Sequence, residues 1–198
     1  MLRLGPDRGP CVLAVPALFE EANRTRTLLV ATLRALAARG IAGALPDLPG
    51  QNDSLLPTVA ARLPAWRDAL AAAAATLPGP VHIVAIRGGA LLDGAVDAAS
   101  RWYLAPLSGA TQVRELERIR HLGGGDDYAG NALHPDLIAA LAAAEPSVAE
   151  PLRVVRLTGD PRPADRLIAA SPPWRTVEPQ TDLALASLLA DDIAAWIA

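Results

Sequence analysis

The stretch Val81-His82-Ile83-Val84-Ala85-Ile86-Arg87-Gly88-Gly89 decides how this chain folds. Its first six residues are almost continuously apolar and mostly β-branched, with no alternation of polar and apolar positions. That pattern suits a strand covered on both faces, as in a parallel sheet. The run stops at Arg87 and two glycines, which reads as a tight strand-to-helix turn, and Ala90 to Ala99 is expected to be helical.

The same alternation extends outward in both directions. Towards the N-terminus, Cys11 to Val15 is a short apolar run ending at Pro16. A helix capped by Asn23 is expected to reach Arg39, with Leu29, Leu33, Leu36 and Ala37 at helical spacing and Gly40 as its stop. A strand over Ile41 to Leu45 leads into the turn-rich segment Pro46 to Ser54. A helix from Leu63 to Leu77 ends at Pro78-Gly79-Pro80. Towards the C-terminus, Trp102 to Ala105, Leu152 to Leu157 and Trp174 to Val177 read as strands, and Pro163 to Ala170 and Asp182 to Ile197 as helices. Residues 108 to 151 depart from this rhythm. They hold a charged helix over Thr111 to His121, the run Gly123-Gly124-Gly125-Asp126-Asp127, and a second helix over Pro135 to Ala144. This segment is expected to be a small lid or an extended crossover within one domain spanning residues 1 to 198. Strands alternating with helices of these lengths imply right-handed crossovers. The expected fold is therefore α/β, a doubly wound, mainly parallel sheet with helices on both faces and a small helical excursion.

Composition narrows the function classes. All 18 basic residues are arginine, and the formal net charge is −3. A net-negative chain lacks the basic surface that a nucleic-acid backbone demands. Cys11 is the sole cysteine, so no intrachain disulfide forms and a reducing, cytoplasmic compartment is expected. Gly5, Pro6, Asp7 and Arg8 interrupt any signal-like segment, and no apolar run reaches membrane-span length, so a soluble protein is expected. Aromatics are scarce, which makes Trp66, Trp102, Trp174 and Trp196 markers of the core. Composition leaves the oligomeric state open.

Three segments, in this order, resemble the α/β-hydrolase superfamily. Val15-Pro16-Ala17-Leu18-Phe19 matches the strand end and loop that supply an oxyanion-hole N–H in that superfamily. Pro46-Asp47-Leu48-Pro49-Gly50-Gln51-Asn52-Asp53-Ser54 is similar to its Asp-x-x-Gly-x-Gly-x-Ser turn, with Asn52 at the second glycine; asparagine tolerates positive φ. Ala85-Ile86-Arg87-Gly88-Gly89 stands where the nucleophile elbow Gly-x-Ser-x-Gly is found. Within the superfamily the chain resembles the hydrolase-like group associated with the exosortase A system. The residues that carry this are Phe19-Glu20-Glu21-Ala22-Asn23-Arg24, Ile86 to Leu92, and Leu104-Ala105-Pro106-Leu107-Ser108-Gly109.

The resemblance implies a reduced α/β-hydrolase fold and allows the triad to be checked by position. Arg87 takes the nucleophile's place. The acid should follow the strand Leu152 to Leu157, where Asp160 stands. The base should lie around Glu178 to Asp182, yet no histidine occurs beyond His134. A guanidinium neither deprotonates at ordinary pH nor acts as an acyl nucleophile. Ser–His–Asp catalysis therefore fails on chemistry.

Arg87, placed at a helix start where the dipole disfavours a cation, needs a negative partner. Glu20 or Glu21 is the natural ion pair, with Asp160 a second candidate. Alternatively Arg87 and the neighbouring N–H of Gly88 bind a carboxylate, phosphate or sugar acid, in a pocket walled by Leu18, Phe19, Glu20, Glu21 and Ser108. Ser108 as a displaced nucleophile lacks a base. Asp47 and Asp53 read as turn and capping residues, His82 as a core side chain, His121 as a helix-end cation and His134 as a helix cap. No histidine pair has metal-ligand spacing, Asp126-Asp127 reads as loop, and Gly88-Gly89 fits no nucleotide motif, so neither metal nor cofactor is expected. Three functions stay open: a non-catalytic accessory or binding component of an exosortase or exopolysaccharide system, a hydrolase or acyl transferase with a non-serine mechanism, and an anion-binding module centred on Arg87 that takes a small anionic or acyl ligand.

Overall fold

The computed structural model describes residues 1–52, 54–123, 127–128, 130–176 and 182–198. Seven strands form one sheet: β1 (Leu2–Leu4), β2 (Cys11–Val15), β3 (Ala42–Leu45), β4 (Val81–Ile86), β5 (Ser100–Leu104), β6 (Leu152–Leu157) and β7 (Arg166–Ile168). Their order is β1-β3-β2-β4-β5-β6-β7. Every pairing is parallel except β1 with β3. The helices are α1 (Glu20–Ala38), α2 (Leu63–Ala75), α3 (Gly109–Gly123), α4 (Pro135–Ala142) and α5 (Leu183–Ile197).

The continuous apolar run of β4 finds its explanation in two separate cores. Ile83 and Ala85 face one core with Leu13 and Val15, beneath Trp66 and Leu70 of α2 and Leu137 and Leu141 of α4. Val84 and Ile86 face the other, with Val12, Trp102 and Val155, beneath Leu29 and Leu33 of α1 and Leu189 and Ile193 of α5. Both faces of the sheet are thus covered, as the expected fold class requires. One buried carboxylate ties α5 down. Asp192 accepts hydrogen bonds from Trp102 Nε1 (2.7 Å), from Arg153 Nε and Nη2 (3.0 and 2.9 Å), and from Arg166. Its donors come from β5, β6 and β7.

Several sequence-based expectations need correction. Ala90 to Ala99 is not an α-helix but two short 3₁₀ turns, Arg87–Leu91 and Asp93–Ala95. Buried Asp93 explains this, since Arg101 Nε and Tyr103 Oη both donate to it and hold the chain down at the start of β5. Pro163 to Ala170 is not helical; Arg166–Ile168 forms β7 and pairs with Val155–Leu157. Backbone pairing to an open sheet edge there outweighs the local helical pattern. The expected strand at Trp174 is a 3₁₀ turn, Pro173–Arg175, and Val177 lies outside the described residues. Asn23 does not cap α1, which begins three residues earlier. The N-terminal Leu2–Leu4, too short to be read as a strand, extends the sheet by pairing with β3.

The excursion consists of α3 and α4, which pack on each other between β5 and β6. Among the described residues, no helix is long and apolar enough to cross a membrane.

The chain turns to opposite sides of β2. From β2 it crosses to β3 on one side and then to β4 on the other. Loops leaving the C-terminal ends of β2 and β4 therefore diverge and leave a crevice between them, the usual ligand position in an open α/β sheet.

Candidate functional site

Arg87 follows β4 in a left-handed conformation, φ 54°, which costs a residue with a Cβ about 1–2 kcal/mol. The surrounding backbone imposes this geometry. A Cβ on Gly89 would lie 2.4 Å from the carbonyl oxygen of Pro16 and 2.8 Å from that of Val15, so only glycine lets the turn close onto β2. Ala85 beneath is fully buried. The β2 loop is also bent, with Phe19 at φ 56° opening α1. The turn after β3 is intact: Gly50 and Asn52 have φ of 81° and 49°, and Gly50 N donates to Ser54 Oγ at 2.8 Å. Asp53 lies outside the described residues.

Arg87 does not point into solvent; it is 5% exposed. Because only a 3₁₀ turn follows it, burial rather than a helix dipole creates its need for a negative partner. Its Nε donates to Glu21 Oε1 at 3.0 Å, and Nη2 lies 2.9 Å from the same oxygen. Nη2 also donates to Glu115 Oε2 at 2.9 Å. The guanidinium carbon stands 4.9 Å from the ring centroid of Trp174, within cation–π range. Glu21 sits in the first turn of α1, where the helix dipole favours an anion. Burial nonetheless holds its carboxyl above the ordinary glutamate range, with Arg87 acting in opposition.

Other residues singled out by sequence fall as follows. Glu20 pairs with Arg24 rather than Arg87, at 3.0 Å. Asp160 stands at the end of β6 but pairs with Arg162 and Arg156, at 2.6 and 3.1 Å. Hydrogen bonding from Arg162, joined by Arg156, keeps its carboxyl well below the usual aspartate range despite partial burial. Ser108 caps α3, donating to Thr111 Oγ1 at 3.0 Å and accepting from Thr111 N. Asp47 pairs with Arg26 and the N-terminal ammonium. His82 is buried against Ser100 Oγ at 2.8 Å, and burial lowers its pKa. His121 lies in the last turn of α3, hydrogen-bonded to Glu117 O, and His134 caps α4 by accepting from Asp136 N. The segment around Glu178, where a base was sought, and Asp126 lie outside the described residues. Among the described residues, no group of His, Cys, Asp and Glu is placed to hold a metal ion.

Two cavities adjoin Arg87. One, about 440 Å³, lies towards α1 and is lined by Leu18, Phe19, Gln112, Leu116 and Ile119 among others. The second, about 430 Å³, lies towards β6 and includes Leu107, Thr111 and Asp160. Arg87, Glu115, Trp174 and Arg175 line both, so the Arg87–Glu115 pair partitions a single cleft. Each half is of the size that holds small ligands.

Sequence reasoning missed the part of this lining that comes from α3 and from the loop after β7, including Gln112, Glu115, Leu116, Ile119, Trp174 and Arg175. Gln112, Glu115, Leu116 and Ile119 share the i, i+3, i+4, i+7 spacing of one helical face, a signal that was available. Trp174, read only as a core marker, arrives from the loop after β7 and covers the guanidinium.

This arrangement can be set beside known structures. A putative hydrolase from Agrobacterium vitis S4 superposes with a TM-score of 0.66 at 13% identity, over 99% of this chain and 92% of that one. The mouse alpha/beta hydrolase domain-containing protein 10 gives 0.64 at 16% identity, over 100% and 94%. Est1E from Butyrivibrio proteoclasticus, solved with ferulic acid, gives 0.60 at 14% identity, over 96% and 90%. The chain has the α/β-hydrolase fold. No family model matches the sequence, and no curated protein is significantly similar to it. In α/β-hydrolase terms, the strained turn after β4 is the elbow, the Leu18–Phe19 loop faces it from β2, and the loop after β7 delivers Trp174 to the same point.

Proposed function

We propose that this chain is a non-catalytic member of the α/β-hydrolase fold, which retains the cleft and binds a small anionic or acyl ligand without turning it over. The observation that carries this reading is the elbow itself. Its strained backbone is kept, yet the side chain it presents is an arginine engaged with Glu21. That pairing consumes the position from which a nucleophile would attack, and a guanidinium supplies no lone pair at neutral pH. The remaining triad positions argue the same way: Asp160 is committed to two arginines, and no histidine follows His134 in the sequence.

Binding is favoured over a purely structural ion pair because the cleft is open and locally cationic. In the half towards α1, four arginines (24, 87, 118 and 175) face three glutamates (20, 21 and 115), against a net charge of −3 for the chain. Within the excursion, α3 serves as the lid of this cleft, which it walls with Gln112, Glu115, Leu116 and Ile119, and the whole belongs to a single domain. The resemblance to the exosortase-associated group suggests an accessory role in an exosortase or exopolysaccharide system, and the lone buried Cys11 suits a reducing cytoplasm.

Thermal denaturation against a panel of glucuronate, inorganic phosphate and medium-chain acyl compounds tests the reading. A ligand held at 100 times its Kd adds about 2.7 kcal/mol of apparent stability. We expect at least one anion to raise the melting temperature in wild type, and to raise it less in Arg175→Gln, which removes positive potential from the rim. A flat response across the panel contradicts a binding role.

A further inference from the structure

We propose, building on that reading, that the ligand is an amphiphilic monocarboxylate, and that its carboxylate replaces Glu115 on the Arg87 guanidinium.

Arg87 holds two carboxylates, and they are not equivalent. Glu21 is 15% exposed in its side chain and fixed in the first turn of α1. Glu115 is 38% exposed and projects from α3, in the excursion that covers the cleft. Of the two, Glu115 is the one that can leave without stranding a charge, because water reaches it. It also forms the partition between the cavities, so its departure joins them around Arg87. Glu115 thereby stands in for a ligand group: a carboxylate in charge-assisted contact with Nη2 at 2.9 Å.

A second observation points to a ligand at the same place. Gln112, one helical turn before Glu115, is 2% exposed, lines the cavity, and has an Oε1 with no hydrogen-bond partner. A Cβ on Gly88 would sit 2.3 Å from this oxygen, which places the amide directly over the elbow. A buried amide oxygen without a partner is costly, and native structures rarely leave one so. As it stands this oxygen packs against Gly88, away from solvent; rotation of the amide towards the cleft lets a ligand hydroxyl donate to it, or lets its NH₂ donate to a ligand carboxylate.

Amphiphilic character follows from the remaining walls. Leu18, Phe19, Leu116 and Ile119 give the cavity towards α1 an apolar side that inorganic phosphate or a sugar acid would leave unused. Arg118 and Arg175 have no ion-pair partner among the described residues, and they add positive potential at the rim for an incoming anion.

Calorimetric titration with octanoate and octanol, against wild type and Glu115→Gln, tests the proposal. An exposed ion pair of ordinary strength, acting as an internal competitor, weakens apparent affinity by roughly fivefold. We expect Glu115→Gln to bind octanoate about that much more tightly than wild type, with no gain for octanol. Hydrogen exchange should report faster α3 amides in octanoate-saturated wild type. Octanoate binding left unchanged by Glu115→Gln, or an equal gain for octanol, overturns the exchange of carboxylates while leaving an anion site standing. Absence of binding by octanoate, phosphate and glucuronate to either protein overturns both this proposal and the reading beneath it.

Discussion

Replacing Arg87 with glutamine removes the positive charge while keeping the side chain's reach, and it strands Glu21 in a buried place. Breaking a buried ion pair by deleting one partner commonly costs about 3–5 kcal/mol. Here the loss has a ceiling, because the stranded carboxylate can take up a proton instead. An ordinary glutamate titrates about 2.7 units below pH 7, and at 1.36 kcal/mol per unit neutralising it costs about 3.7 kcal/mol. At pH 5 the same ceiling falls to about 1 kcal/mol. Loss of the cation–π contact with Trp174 adds about 0.5–2 kcal/mol at either pH. The sign follows from proton counts. The folded variant binds a proton at Glu21 that its unfolded state releases, so its deficit grows as pH rises. We therefore expect Arg87→Gln to lose up to about 4–6 kcal/mol at pH 7 and up to about 1.5–3 kcal/mol at pH 5, measured by urea denaturation. A loss below about 1 kcal/mol, or one equal at both pH values, would refute the claim that Arg87 neutralises a buried Glu21.

Other substitutions probe the rest of the account. Arg87→Ser restores a hydroxyl to the elbow but no base, so p-nitrophenyl acetate hydrolysis should stay at the buffer rate; saturable turnover would contradict this. Gly89→Ala places a methyl against the Pro16 and Val15 carbonyls, and we expect a loss above about 2 kcal/mol in denaturant midpoint analysis. Asp192→Asn leaves three donors without their anion and should cost about 3 kcal/mol. Burial alone would raise the Asp192 carboxyl, but hydrogen bonds from Arg153, Trp102 and Arg166 outweigh it and leave a net lowering. The stability it contributes is thus present above the ordinary aspartate range and lost as pH falls below it. The Asn variant should accordingly show a flatter acid limb than wild type.

The layout of the fold was largely legible in the sequence, because the arrangement of apolar residues carries it. Val81–Ile86 shows as a continuous apolar run buried on both faces, and α1 as Leu29, Leu33 and Leu36 at helical spacing. The elements misread are those whose state is set by distant partners. Arg166–Ile168 becomes a strand because β6 offers it an open edge. Residues 87 to 95 form 3₁₀ turns around Asp93, buried by Arg101 and Tyr103. At the site, the turn after β4 and the need of Arg87 for an anion could be read from charge and local turn chemistry, but the partner could be narrowed only to Glu20, Glu21 or Asp160, of which Glu21 makes the contact. The shared helical face of Gln112 and Glu115 was legible, but its closure over Arg87, 28 positions earlier than Glu115, follows only from the packing of α3 over the crevice, and Trp174 could not be read at all. Trp174 reaches the guanidinium by way of β7, itself one of the misread elements.

Hydrolysis of short-chain acyl esters by purified wild type and by Arg87→Ala is the most direct test of a retired elbow. The account predicts release of the leaving group at the buffer rate from both proteins. Saturable turnover by wild type that disappears in a folded Arg87→Ala would show that Arg87 works in catalysis and would contradict it.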